Sequence, residues 1–357
     1  MKKCFILVLS IAALLTTLTA CGAAKSEAAA ETAAPAAGNA APANEAAPVN
    51  EAAADAEAAA TAEAPAELFT IRIVQSASAD PVYVADEEGI FEANGIKVEY
   101  VGLLANSNAA TAVSTNAADF AWNPAGSIIS AISNGFELKA VAAGWGTSEE
   151  HPMVQVLVKA DSEYQKLEDL NGKKVAIPFA GEPYWLEAKD QLDLSGVEEV
   201  IIGFDKMETS IASDAVDAVF VISPYPEKLL ASGDYRSIWT ALDVIGAEKG
   251  WPQQYTNLKF IEEHPDIVRA YVKSIAEACD FARANPEKAS EDIARALGVE
   301  GADPTIYIHE YPEHALIDEA DAQLWIDLER KFGLLGSEVT TSDIYTNEFN
   351  PYWEKAQ

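Results

Sequence analysis

The chain has 357 residues, 49% hydrophobic and 23% charged, with 24 Lys and Arg set against 57 Asp and Glu and a formal net charge of minus 33. So negative a field repels phosphate, which excludes a nucleic-acid binder that relies on a basic surface. The hydrophobic fraction is inflated by alanine, and the apolar bulk that can form a core falls almost wholly in residues 69–357, a length that predicts two lobes rather than one compact core.

Lys2 and Lys3 precede an apolar run from Phe5 to Leu15, and Leu18-Thr19-Ala20-Cys21 follows. The run is too short to span a bilayer permanently. A charged start, a short apolar middle and small residues before a cysteine resemble the signal peptide and lipobox of a bacterial lipoprotein. That resemblance implies removal of residues 1–20 and lipid on Cys21, the new N-terminus; an ordinary signal peptide with an incidental cysteine is the alternative. Residues 21–68 are nearly all Ala, Glu, Pro and Asn after the first few, without an aromatic residue. They read as a disordered acidic tether whose r.m.s. reach is on the order of 40 Å. Past the tether, 21 basic against 49 acidic residues leave the body at about minus 28. Of the three cysteines, Cys4 leaves with the signal and Cys21 carries lipid, so no intrachain disulfide is expected. Cys279 falls on the helical stripe Val268, Tyr271, Val272, Ile275, Cys279, Ala282 and reads as a buried inert thiol.

Within the body, short β-rich runs alternate with helical stretches. Strands are predicted at 69–75, 97–101, 119–122 and 138–143, with helices ending at Gly89 and spanning about 106–116 and 124–134. Residues 153–159 form an apolar strand that leads out of the first lobe. A second series follows: strands at 174–177, 199–203 and 218–222, a helix opening at Pro183, another at 206–214, and a further one after Ser223-Pro224. From Tyr255 the chain returns, with a long helix at 262–283 and later ones at 286–297 and 313–332. The expected division is residues 69–158 plus 251–357 for lobe I and 159–250 for lobe II, an α/β architecture with an interlobe cleft. In open α/β sheets ligands sit beyond the carboxyl ends of strands. The exits to inspect are Ser76 to Pro81, Trp122-Asn123-Pro124, Gly144-Trp145-Gly146, Phe179 to Trp185 and Ser223-Pro224-Tyr225.

Pro81-Val82-Tyr83-Val84-Ala85, Gly89-Ile90-Phe91, Gly95-Ile96-Lys97-Val98-Glu99, Ala118-Asp119-Phe120-Ala121, Asp169-Leu170-Asn171-Gly172-Lys173-Lys174-Val175 and Val216-Asp217-Ala218-Val219 occur in that order. The ordered set resembles the SsuA/THI5-like solute-binding proteins of ATP-driven (ABC) importers, the group that takes up sulfonates, nitrate, taurine and thiamine precursors. The resemblance implies a type II periplasmic-binding-protein fold with a hinge, a small-molecule solute, and a membrane permease with a cytoplasmic ATPase as partner. It implies docking through acidic lobe tips, no cofactor, no nucleic acid, a monomer, and a place on the outer face of the cell membrane. Sulfonate or nitrate binders of the group would be expected to carry a hydroxyl- or Gly-rich turn at the first helix of lobe II, where free N–H groups favour an anion. Here that turn is Ala180-Gly181-Glu182-Pro183, which puts a carboxylate in that place and removes one donor; a Glu182 that merely caps the helix is the other reading. Tyr83, Trp122, Trp145, Tyr184, Trp185 and Tyr225 offer flat faces for a nitrogen heterocycle or a protonated amine. Asp80 and Glu182 would pair with its charge, and Ser78, Asn123 and Ser223 would orient it.

Three rival classes follow from the residues. A pyrimidine-synthase-like enzyme would need the cysteine-rich motif of the eukaryotic relatives, which this chain lacks. A zinc site on His309-Glu310-Tyr311-Pro312-Glu313-His314 is opposed by Pro312, which interrupts helical spacing, and a solvated loop capping a helix from Glu313 is expected instead. A lipid-anchored surface sensor would use the same tether, because two lobes do not by themselves specify transport.

Overall fold

The computed structural model describes residues 67–104, 106–246, 253–299 and 305–356. The segment expected to be a signal peptide, Cys21 as the expected lipid site, and all but Glu67 and Leu68 of the expected tether lie outside the described residues. The ten strands among the described residues form three sheets, of two, three and five strands: β1 (Phe69–Gln75), β2 (Ile96–Leu103), β3 (Ala121–Asn123), β4 (Leu138–Ala143), β5 (Val154–Lys159), β6 (Lys174–Ile177), β7 (Glu198–Ile201), β8 (Ala218–Ile222), β9 (Tyr235–Thr240) and β10 (Gln253–Asn257).

In the first lobe β1 pairs in parallel with β2 and reaches β3 through a parallel bridge from Ile73 to Phe120, while β10 runs antiparallel between β3 and β4. In the second lobe the order is β7-β6-β8-β5-β9, with β5 antiparallel to both its neighbours. The two lobes thus repeat one plan. The strands of each lobe include one that is reversed, next to the last, supplied by the chain as it crosses from the other lobe. β5 carries the chain out and β10 brings it back. This corrects the expected boundary at residue 158: β5 is hydrogen-bonded along its length to β8 and β9, so the crossing precedes Val154. β9 was not foreseen from sequence.

β5, Val-Gln-Val-Leu-Val-Lys, is apolar apart from Gln155 and Lys159 and is buried on both faces, as an interior strand should be. β10 is the opposite case, Gln-Gln-Tyr-Thr-Asn, and it is fully buried. Three of its side chains, Gln254, Thr256 and Asn257, are paired, while Gln253 Oε1 and the Tyr255 hydroxyl find no partner among the described residues. Gln254 Nε2 donates to Asp80 Oδ1 at 2.8 Å while its Oε1 accepts from the Tyr271 hydroxyl at 2.8 Å. Thr256 Oγ1 donates to the Asp119 carbonyl at 2.7 Å, and Asn257 Nδ2 to the Val113 carbonyl at 2.8 Å. The helix Pro265–Ala284 closes the first lobe, burying Val268, Tyr271, Val272, Ile275, Cys279 and Ala282. Tyr271 stacks on Phe120 with ring centres 3.7 Å apart.

Two helix boundaries differ from expectation. The predicted helix at 262–283 is split into Leu258–Glu263 and Pro265–Ala284 at His264, whose φ of −137° and ψ of 51° leave the helical region, because the ring of a following proline clashes with it. The predicted helix at 313–332 begins at Glu319, where Asp318 accepts from the Ala320 and Asp321 amides. Residues Glu313–Ala315 form only a short turn, with His314 and Ala315 at positive φ. Nor is the His309–His314 segment a solvated loop. His309 is 5% exposed, and His314 stacks on Tyr352 with its Nδ1 2.6 Å from Asp280 Oδ2. Among the described residues no group of three His, Cys, Asp or Glu could hold a metal, and no helix is long and apolar enough to cross a membrane.

The Gln254 side chain ties the crossing strand to both Asp80 and Tyr271. Gln254→Ala would leave a buried carboxyl and a buried hydroxyl each short of a partner, and is expected to lower stability by about 2–4 kcal/mol. Chemical denaturation checks this; an unchanged midpoint would show that β10 is held by its backbone alone.

Candidate functional site

A cavity of about 1070 Å³ opens between the lobes at the strand exits. From the first lobe it is lined by Gln75, Ser76 and Ser78 after β1, by Trp122, Asn123 and Pro124 at the end of β3, and by Trp145 after β4. The second lobe contributes Phe179, Glu182 and Tyr184 after β6, and Ile222, Ser223 and Tyr225 after β8. Trp145, 2% exposed, meets Trp122 edge to face at 4.5 Å, and Tyr225 stacks on Phe204 at 5.2 Å. Aromatic surface therefore stands on both walls. Ser223 Oγ donates to Glu227 Oε1 at 2.5 Å, which fixes the hydroxyl at the second-lobe exit.

Of the residues singled out from sequence, Ser78, Trp122, Asn123, Trp145, Glu182, Tyr184, Ser223 and Tyr225 line this cavity. Asp80, Tyr83 and Trp185 do not, and each has a structural task behind the wall. Asp80 caps the helix Pro81–Glu87, accepting from the Val82 amide at 3.1 Å and from Gln254. Burial pushes its carboxyl up to about 7. The Tyr83 hydroxyl donates to the Ser76 carbonyl at 2.6 Å and accepts from the Ser76 amide at 2.9 Å, so it fastens the β1 exit loop from beneath. Trp185 turns into the second-lobe core, where its Nε1 donates to Glu199 Oε1 at 3.1 Å and its ring meets Phe220 edge to face. On the helix Pro183–Gln191, Tyr184 and Trp185 are successive residues and cannot share a face.

Glu182 takes the capping reading, and it also lies on the cavity wall. Its Oε2 accepts from the Trp185 amide at 2.7 Å, capping the helix, and the residue is 2% exposed on the cavity wall. Burial raises its carboxyl to about 8, against the opposing effect of the Trp185 and Tyr184 amides, and nearby Glu329 adds to the rise. Glu329 was missed. It comes from the helix Glu319–Lys331, which packs on Ala125–Ser133 and also reaches Pro183–Gln191. It lines the cavity with Trp325, one turn earlier, whose ring meets Tyr184 edge to face at 4.8 Å. The spacing of four was the available signal, because it puts carboxylate and indole on one helix face. Burial pushes Glu329 up to about 7. Among the described lining residues Glu182 and Glu329 are the charged ones, with no Lys, Arg or His.

Both carboxyls are raised from an ordinary 4.5 in the folded chain, so the native state holds protons that the unfolded chain has released. Their contribution to stability is full below about pH 4.5 and is lost as pH rises through about 8. Tyr184 is the other titratable group against Glu182, and it titrates above this window. The ligand-free protein is therefore expected to melt several degrees lower at pH 8.5 than at pH 5.5, and Glu329→Gln should flatten that slope. A melting temperature that climbs across the same interval would contradict the assignment.

Residues 77–289 match the protein family described as NMT1/THI5 like. Among curated protein sequences none matches the chain. Similar solved structures include the periplasmic aliphatic sulphonate-binding protein SsuA of Escherichia coli, at 18% identity, a TM-score of 0.64, and coverage of 77% of this chain and 91% of that one. A Candida albicans protein described as having the generic periplasmic-binding-protein fold matches at 14% identity and a TM-score of 0.62, over 78% of this chain and 97% of its own. The desulfurization enzyme DszB matches at 15% identity and a TM-score of 0.62, over 81% and 99%. The fold is the two-lobed α/β fold of periplasmic binding proteins.

Proposed function

The chain belongs to the NMT1/THI5-like family, and from that membership we propose that it is the solute-binding component of an ABC importer. In this reading it captures a small nitrogen-containing solute, a planar ring or a cation, and presents it to a membrane permease driven by a cytoplasmic ATPase. Lipid on Cys21 would hold it at the outer face of the membrane, and the stretch after it would let the body move away from the surface. The mechanism is capture without chemistry. A solute that touches both walls favours the closed form through contacts the open form lacks, and only that difference shifts the equilibrium.

The observation that carries the choice of solute is the charge of the lining: two carboxyls, no described base, and aromatic faces on both walls. Above about pH 8, where both carboxyls are ionised, a sulfonate about 5 Å from one of them would meet a repulsion of roughly 3 kcal/mol at an effective dielectric of about 20, close to two orders of magnitude in affinity. Stacking on an aromatic ring contributes about 0.5–1.5 kcal/mol and does not offset that. A protonated nitrogen reverses the sign and adds cation–π attraction. The sulfonate specificity of SsuA therefore does not carry over, although the fold does.

The likeness to DszB keeps an enzyme as the second reading. It is opposed by the lining, which among the described residues has neither cysteine nor histidine for a nucleophile and base. Cys279 is 0% exposed, its thiol pushed well up by burial, and lies outside the cavity. Thermal-shift screening separates the solute classes. Aminopyrimidines and planar amines are expected to raise the melting temperature and alkyl sulfonates to leave it unchanged; stabilisation by sulfonates alone would reject the reading.

A further inference from the structure

Glu329 is 3% exposed and lines the cavity, yet among the described residues no hydrogen bond or ion pair reaches its carboxylate. The bases nearest in sequence are committed elsewhere. Arg330 binds Asp327 at 2.6 Å and Glu338 at 3.0 Å, and Lys331 binds Glu187 at 2.7 Å and Asp190 at 2.8 Å on the second-lobe helix. Beneath the carboxylate is Gly126, where an added Cβ would come within 2.7 Å of Glu329 Oε1. The helix Ala125–Ser133 thus leaves room for this group. Glu182 faces the same space from the other lobe, close enough to feel its charge.

Two ionised carboxylates on opposite lobes repel as the lobes approach, and a cation between them removes that repulsion. We infer that Glu329 is the counter-ion for a protonated nitrogen of the solute, with Glu182 accepting from the opposite lobe, so that the cleft selects a planar amidinium-type cation. This rests on the reading of the chain as a binder of nitrogen-containing solutes. Such a group is flat, presents two or more N–H donors in its plane, and can lie against Tyr184 and Trp325 while its edge meets the carboxylates. A quaternary ammonium would carry the charge without those donors and would fit less well. Cation binding in turn supplies the buried carboxylate with the partner that the protein withholds.

The test is calorimetric titration of the full chain at pH 8 with three probes of one shape: benzamidinium, benzamide and benzenesulfonate. The wild type is expected to prefer them in that order. Glu329→Gln should weaken benzamidinium by about tenfold or more, leave benzamide within about twofold, and strengthen benzenesulfonate. Because the substitution removes a buried unpaired charge, the variant should melt no lower than the wild type, which establishes that it folds. Gly126→Ala, which displaces the carboxylate and keeps its charge, should weaken benzamidinium as well. Equal benzamidinium affinity in the wild type and Glu329→Gln would overturn the assignment of Glu329 and leave the wider reading standing. A wild type that prefers benzenesulfonate, or takes neither nitrogen compound, would remove both.

Discussion

A carboxylate taken out of water must be given a proton, a cation or several N–H donors, and the cleft of this protein contains two carboxylates that the chain only partly provides for. Glu182 has the amides of a helix start, and Glu329 has nothing among the described residues. Among the described residues the other buried carboxylates each have at least one partner, although Asp292 Oδ2 and Glu227 Oε2 have none of their own. Asp80 has Val82 and Gln254, Glu187 has Lys331, and Asp292 has Lys288 and Arg295. The exception at Glu329 coincides with the interlobe cavity, and the proposed preference for a positively charged solute rests on that coincidence.

The fold serves this site through its two crossings. β5 and β10 each enter the lobe they are arriving in as its one reversed strand, so two crossings of the chain join the lobes. The strand exits on either side of that hinge converge on the cavity, which is why residues 76, 122, 145, 182 and 223, distant in sequence, meet there. The helix Glu319–Lys331 is a third link. It lies on the first lobe through Ala125–Ser133 and reaches the second through Lys331 and the Tyr184–Trp325 contact. Lys331 is 40% exposed, and an ion pair so open to solvent adds little by itself. The buried aromatic contact contributes more to the registry of this helix across the gap.

The alternation of strands and helices and the strand exits were legible in the sequence because apolar runs such as Val154–Lys159 and Ala218–Ile222 are long and bounded. Which lobe a run joins was not legible: β5 reads as a strand whatever its neighbours, and only its hydrogen bonds to β8 and β9 place it. β10 was hidden for another reason, since Gln-Gln-Tyr-Thr-Asn has no hydrophobic period, and the partners of Gln254, Thr256 and Asn257 lie on other elements. The site divided along similar lines. Exit residues facing the gap were found by position, whereas Asp80, Tyr83 and Trp185 occupy the same exits but turn inward to cap, fasten and pack. Glu329 lay outside the exits altogether, on a helix whose role in the cleft depends on how the chain's last third folds back.

Native mass spectrometry of the protein isolated from its own cells, followed by release and identification of any bound small molecule, tests the central claim most directly. The account predicts a planar nitrogen compound that is positively charged or protonated at neutral pH. A sulfonate, nitrate or other anion held stoichiometrically in the wild-type cleft would contradict it.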